Sequence, residues 1–253
     1  MKDTSKSKTQ LTVVEEEVKE KEIEAIASAA DIESIKEMMK AGLMYGHKTN
    51  RTEPKFKSYI SLSRNNIEII DLSQTLLAIN EAAEFLKKII SENKMVLLVA
   101  TQSAAQEAIE KFAKKFNFPY VKNRWLGGLI TNFKVLSTRI EKFKKNQIDM
   151  EKGEFDKYTK KERVVINKNI ARMRILFGGL ENLTKLPDAL LIIDSSLKNH
   201  KTAIREARQL NIPVIGIIDS DDNPEFVDMV IPANDHAKMS IDFIIDKIME
   251  KIS

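Results

Sequence analysis

Apolar and polar positions from residue 67 onward switch between two periods. Short apolar runs at 67–72, 95–100, 119–121, 188–194 and 213–219 predict strands, and 228–232 predicts a short edge strand. The runs 95–100 and 188–194 are apolar almost throughout, as strands covered on both faces should be. Between them apolar residues return at helical spacing. Ser73 opens a helix with Leu76, Leu77, Ala83, Phe85, Leu86, Ile89 and Ile90, and further helices are expected at 104–116, 202–210 and 237–252. Such β/α alternation predicts a parallel sheet with helices on both faces and right-handed crossovers.

Residues 131–182 interrupt the alternation. Phe133, Leu136, Ile140 and Phe143 step by 3, 4 and 3, and Ile166, Ile170, Met173, Phe177 and Leu180 by 4, 3, 4 and 3. These are coiled-coil-type seams. Gly153 lies in a polar turn between them, and Thr159 with Glu162 has the form of a capping box. An antiparallel helical hairpin is expected, with arms reaching roughly 25–30 Å at ~1.5 Å per residue. The expected fold is therefore α/β: a flavodoxin-like, doubly wound parallel sheet of about five strands, order 2-1-3-4-5, with an inserted helical hairpin. Residues 31–130 and 183–253 form the sheet domain, and 131–182 the protruding hairpin.

The part before residue 67 is less regular. Residues 1–30 are rich in Lys, Glu, Ser and Thr and read as a disordered or loosely helical extension. Ile32, Ile35, Met38 and Met39 predict an amphipathic helix over 30–40, with Asp31 as its cap and Gly42 as its stop. Residues 44–64 read as a Gly- and Pro-containing loop, closed by an Asn65-Asn66 turn. In this loop Lys48, Arg51, Lys55, Lys57 and Arg64 are interleaved with Tyr45, Phe56 and Tyr59. Cations among aromatics suit phosphate contact with base or sugar stacking, and equally suit a surface loop whose rings turn into the core.

Charge sharpens this picture. The 253-residue chain carries only +4, but residues 122–185 hold 16 Lys/Arg against 7 Asp/Glu, while the remainder holds 25 against 30. A charge run suits a solvated helix face, and a local excess of this size also suits a polyanion. There is no cysteine, which removes disulfides, thiolate metal sites and Cys nucleophiles. No apolar run approaches membrane-spanning length and no apolar signal core opens the chain, so a cytoplasmic protein is expected.

Catalytic patterns are sparse. No phosphate loop, dinucleotide fingerprint or nucleophile elbow occurs. His47, His200 and His236 are scattered, without a second ligand at metal spacing. Asp71, Asp194 and Asp219 each end a strand. They could assemble a Mg²⁺ site of an enzyme or receiver, or merely cap the turns that follow. Neither metal nor cofactor is expected. At 122–132, Lys122 and Arg124 flank Trp125, the only Trp, and the pair Gly127-Gly128 follows. Trp125, Gly127 and Gly128 read as the structural junction where the hairpin leaves the sheet, and the flat Trp125 ring suits either packing in the core there or stacking on a base.

These motifs carry a resemblance. Gly46-His47-Lys48-Thr49, Pro54-Lys55, Tyr59-Ile60, Arg64-Asn65 and Ile69-Ile70-Asp71-Leu72 occur in order, then Arg124-Trp125-Leu126-Gly127-Gly128 with Thr131-Asn132. Leu186-Pro187-Asp188, Asn211-Ile212-Pro213-Val214 and Ile231-Pro232-Ala233-Asn234-Asp235 complete the set. Over about residues 32–248 the chain resembles the bacterial small-subunit ribosomal protein S-two family. It departs from the family's usual pattern at Asn66 (commonly Gly), Glu68 (commonly His) and His236 (often Asp), and in residues 1–30. Glu68 in particular removes a possible RNA donor.

The resemblance implies a non-catalytic structural protein of the 30S subunit that binds 16S rRNA and supports neighbouring ribosomal proteins, the large OB-repeat protein S-one among them. It implies neither a membrane nor a small-molecule substrate. The expected RNA contacts are Lys48, Arg51, Lys55, Lys57, Arg64, Lys122, Arg124, Asn132, Lys134 and Arg139.

Overall fold

The computed structural model describes residues 29–253. The expectation for residues 1–30 therefore lies almost wholly outside it. Helix α1 (Ala29–Ala41) carries Asp31 in its first turn, not at its cap. It ends at Gly42, whose φ of +78° only glycine adopts without strain. There the Leu43 N–H reaches back to the Met38 carbonyl at 3.1 Å.

The segment expected as a loop is a small antiparallel sheet. Strands β1 (Tyr45–Lys48), β2 (Ile60–Arg64) and β3 (Ile67–Ile70) pair in the order β1-β3-β2. The run at 67–72 thus joins this sheet and not the parallel one. Its partners escaped notice because β1 and β2 are exposed or half-buried at every position, so neither has a buried face to impose an apolar period. The β2–β3 turn uses Asn65 and Asn66 at φ of 53° and 62°, as a tight hairpin demands. Glu68 sits buried in β3 and accepts from the hydroxyls of Thr52 and Ser63.

The main sheet holds β4 (Val96–Val99), β5 (Tyr120–Val121), β6 (Ala189–Ile193), β7 (Val214–Ile218) and β8 (Met229–Pro232). All pairs are parallel, in the order β5-β4-β6-β7-β8. Counted from β4 this is 2-1-3-4-5, the expected flavodoxin-like order. Successive residues point to opposite faces. Val96, Leu98, Leu191, Ile193, Ile215 and Ile217 pack with α1, α2 (Leu72–Ser91), α3 (Gln106–Phe116) and α7 (Lys238–Ile252). Leu97, Val99, Leu190, Ile192, Val214 and Ile218 face α6 (Lys198–Gln209), the Trp125 segment and two further helices.

Those two are α4 (Phe133–Glu151) and α5 (Lys160–Phe177). Thr159 and Glu162 form the reciprocal capping box. Phe143 meets Phe177 with ring centroids 6.2 Å apart, while Gln147 and Arg174 line one cleft, so the helices run antiparallel. Leu136, Ile140, Phe143, Ile170 and Phe177 are buried in the same cluster as Leu97 and Val99. The seam is thereby continuous with the sheet's core. Where α5 returns, the Tyr120 N–H donates to the Gly179 carbonyl at 2.7 Å, covering the outer edge of β5. A Cβ at Gly179 would collide with the Tyr120 carbonyl, which is why glycine stands there.

Candidate nucleic-acid interface

The junction after β5 is built around one buried carboxylate. Glu206 of α6 is 7 % exposed. Its Oε1 accepts from Trp125 Nε1 at 3.1 Å and from the Gly128 N–H at 2.8 Å. Its Oε2 accepts from the Ile130 N–H at 3.1 Å and from Thr131 at 3.4 Å. A carboxylate out of water needs such donors, and a loop leaving a sheet has backbone N–H groups to satisfy. The two needs cancel, and 125–131 is pinned to α6. Trp125 is 3 % exposed, so its ring packs and does not face a ligand. Gly128 has a φ of +84°, which requires glycine. Gly127 has an ordinary φ and open space around it, so neither strain nor packing among the described residues explains it.

The other basic segment reaches the same place. Phe56, in the short turn Pro54–Tyr59 before β2, is fully buried in the cluster that holds Trp125 and Leu129. Tyr59 packs against it at 5.2 Å. Of the three aromatics in this segment, only Tyr45 is exposed. The Glu53 N–H donates to the Ser220 carbonyl beyond β7, and Lys55 pairs with Glu225. Both segments therefore sit at the carboxyl end of the parallel sheet, joined by one apolar cluster. Ligands of open α/β sheets bind at that end.

Lys48, Arg51, Lys55, Lys57, Arg64, Arg124, Asn132, Lys134 and Arg139 are exposed, and Lys122 is half-buried. Two of them spend charge inside the molecule. Lys55 pairs with Glu225, and Lys122 with Glu110 at 2.9 Å. The latter hydrogen bond raises the Lys122 pKa and lowers that of Glu110. Lys48, Arg51, Lys57, Arg64, Arg124, Lys134 and Arg139 have no ion-pair partner among the described residues. Asn132 precedes α4 without a side-chain capping bond. A cleft of about 390 Å³ opens between β5 and α5, lined by Lys122, Asn123, Arg124, Gln147 and Arg174. The sequence singled out neither Gln147 nor Arg174. Their helical spacing gave no sign that α5 returns beside β5.

The candidate Mg²⁺ trio does not assemble as expected. Asp71 caps α2, accepting from the Ser73 N–H at 3.0 Å, and its other oxygen accepts from Gln74. Asp194 and Asp219 do lie in one acidic pocket, with Asp221, Asp222 and Asp235. The scattered histidines are partly gathered too. His47 Nδ1 lies 3.0 Å from Asp219, a hydrogen bond that raises the His47 pKa, and His47 meets His236 edge-on at 4.9 Å. His200 is buried between the Asp194 carbonyl and the Thr101 N–H. Among the described residues no helix is long and apolar enough to cross a membrane.

Fold and charge define a doubly wound α/β protein whose accessible chemistry is a basic surface at one end of the sheet. The chain belongs to the ribosomal protein S2 family, whose description it matches over residues 38–253. It is 42% identical over 219 residues to the small ribosomal subunit protein uS2 of Petrotoga mobilis, covering 87% of this chain and 75% of that protein. It is thus a structural ribosomal protein of the small subunit, acting in translation.

Proposed function

We propose that the chain binds 16S rRNA through the two basic segments anchored at the carboxyl end of its sheet. The observation that carries this is the set of seven exposed cations without counter-charges among the described residues, held in place by the shared Phe56–Trp125 cluster. Each Lys or Arg that meets a phosphate releases counterions, and the rigid loops and helix pair match RNA shape. Lys48, Arg51, Lys57 and Arg64 act from the small sheet. Arg124, Asn132, Lys134 and Arg139 act from the junction and first helix. Lys55 and Lys122 contribute after exchanging Glu225 and Glu110 for phosphate.

Residues 131–182 serve as an arm of the sheet domain, and the arm's basic faces add to RNA contact. Support for neighbouring ribosomal proteins, S-one among them, rests on the family resemblance. So does a place in the cytoplasm. A non-catalytic role is supported by Asp71, whose carboxylate is taken up by a helix cap. The test is binding to 16S fragments across salt. Log affinity should fall linearly with log salt, by about 0.7–0.9 for each phosphate neutralised. Affinity that stayed flat from low to moderate salt would overturn the electrostatic mechanism.

A further inference from the structure

Helix α6 carries its cations on one face, with no acid beside them. Lys198, Lys201, Arg205 and Arg208 step by 3, 4 and 3. The helix's only carboxylate, Glu206, is buried under the loop that follows Trp125. Lys111 and Lys114 of α3 and Lys238 and Lys247 of α7 all pair with acids. None of the four α6 cations has an ion-pair partner among the described residues. The arrangement breaks two rules of helix electrostatics. Like charges three and four positions apart repel. Lys198 and Lys201 also stand in the first turn, where the helix dipole favours acids. A surface helix that keeps both faults keeps them for an anion from outside the chain.

A pocket of about 200 Å³ opens on this face, lined by Lys201, Ile204, Arg205, Arg208 and Phe226. Ile204 is buried and gives it an apolar floor. The Arg208 guanidinium lies over the Phe226 ring, 5.9 Å from its centroid. Arg208 also donates to the Glu225 carbonyl, and the Glu225 carboxylate pairs with Lys55. One end of the stripe is thereby joined to the first basic segment. Beside Arg205, Glu206 holds the Gly128 N–H, so the stripe also adjoins the second. From Lys198 to Arg208 it spans roughly 15 Å at ~1.5 Å per residue. Asp228 shares a neighbouring pocket with Arg208, and one of its oxygens accepts from the Val214 N–H at 2.8 Å.

We propose that the exposed face of α6 holds an unpaired stretch of 16S rRNA, with phosphates on Lys198, Lys201, Arg205 and Arg208 and one base in the Phe226 pocket. This rests on the reading that the chain binds 16S rRNA, and extends it to a helix outside both basic segments. A duplex offers phosphates but keeps its base faces stacked. The apolar floor beside a flat ring and guanidinium is what an unstacked base takes. The pocket is small beside the roughly 300–1,000 Å³ of ligand sites, so it suits a single base and not a whole cofactor. An acidic peptide would match the cations but leave the aromatic pocket idle.

The experiment is filter binding of the full-length protein to a 16S fragment over a salt series, beside binding of a short oligouridylate and of an RNA duplex. The double variant Lys198→Ala/Arg205→Ala should lower the salt slope for the 16S fragment by about one for each cation removed. Its Tm should be unchanged or raised, because like-charge repulsion is relieved. Phe226→Leu keeps apolar bulk and loses the ring. It should weaken oligouridylate at least about fivefold and leave both the salt slope and duplex binding alone, while Phe226→Tyr should bind as the wild type does. A double variant with the wild-type slope, beside an Arg124→Ala variant that lowers it, would overturn the α6 site and spare the wider reading. A wild type that does not bind the 16S fragment would overturn both. Equal losses of duplex and oligouridylate in Phe226→Leu would overturn the base pocket.

Discussion

Trp125 Nε1 donates to Glu206 Oε1 at 3.1 Å, with both residues buried. The same carboxylate holds the backbone of Gly128, Ile130 and Thr131. One side chain from α6 thus fixes the loop between β5 and α4.

Glu206→Ala should be among the most destabilising single changes in this region. It strands an indole N–H and several backbone N–H groups, at about 1–3 kcal/mol for each buried group left unpaired. Urea unfolding should show a loss of about 3 kcal/mol or more. Glu206→Gln keeps the shape and some acceptors and should lose less. Equal losses from both would mean that charge, not bond count, holds the loop.

Trp125 and Arg124 are neighbours with separate tasks. Trp125→Phe should cost about 1–3 kcal/mol of stability through the lost hydrogen bond and volume, with rRNA affinity unchanged. Arg124→Ala should leave stability within about 0.5 kcal/mol and lower the salt slope of RNA binding by about one. Filter binding over a salt series, beside urea unfolding, separates the two.

Two glycines make a matched pair. Gly179→Ala sets a methyl group against the Tyr120 carbonyl and should destabilise by about 1–3 kcal/mol. Gly127→Ala meets nothing among the described residues and has an ordinary φ, so the free protein should lose no stability. If Gly127→Ala nonetheless impairs incorporation into the small subunit, the need for glycine comes from a neighbour's close approach.

Asp188 joins the starts of β4 and β6. Burial alone would raise its pKa. The Met95 N–H at 2.7 Å and Lys185 at 3.1 Å outweigh burial and hold the carboxyl below its ordinary value. A carboxyl depressed in the folded state stabilises above its unfolded pKa and stops doing so as pH falls through the folded one. The stability gap between wild type and Asp188→Asn, about 1–3 kcal/mol at neutral pH, should therefore close below about pH 4. Chemical unfolding at pH 7 and pH 3 measures it.

What the sequence by itself determined is what depends on local period and local bonds. The strands of the main sheet, their flanking helices, the α4 and α5 seams, the Thr159 capping box and the Asn65-Asn66 turn all follow from residues a few positions apart. The basic excess in 122–185 is likewise a count along the chain. Only the tertiary structure decided which side chains face inward and which distant groups meet. It placed Phe56 and Trp125 in one core, turned exposed segments into β1 and β2, and set Glu206 under a loop some 80 positions earlier. It also drew Asp71 off into a helix cap while setting Asp194 and Asp219 in one acidic pocket. The reason is physical: a period shows which face of an element is apolar. The partner of a buried carboxylate is chosen by strand order and crossover, which bring together residues with no mark of their meeting in the chain.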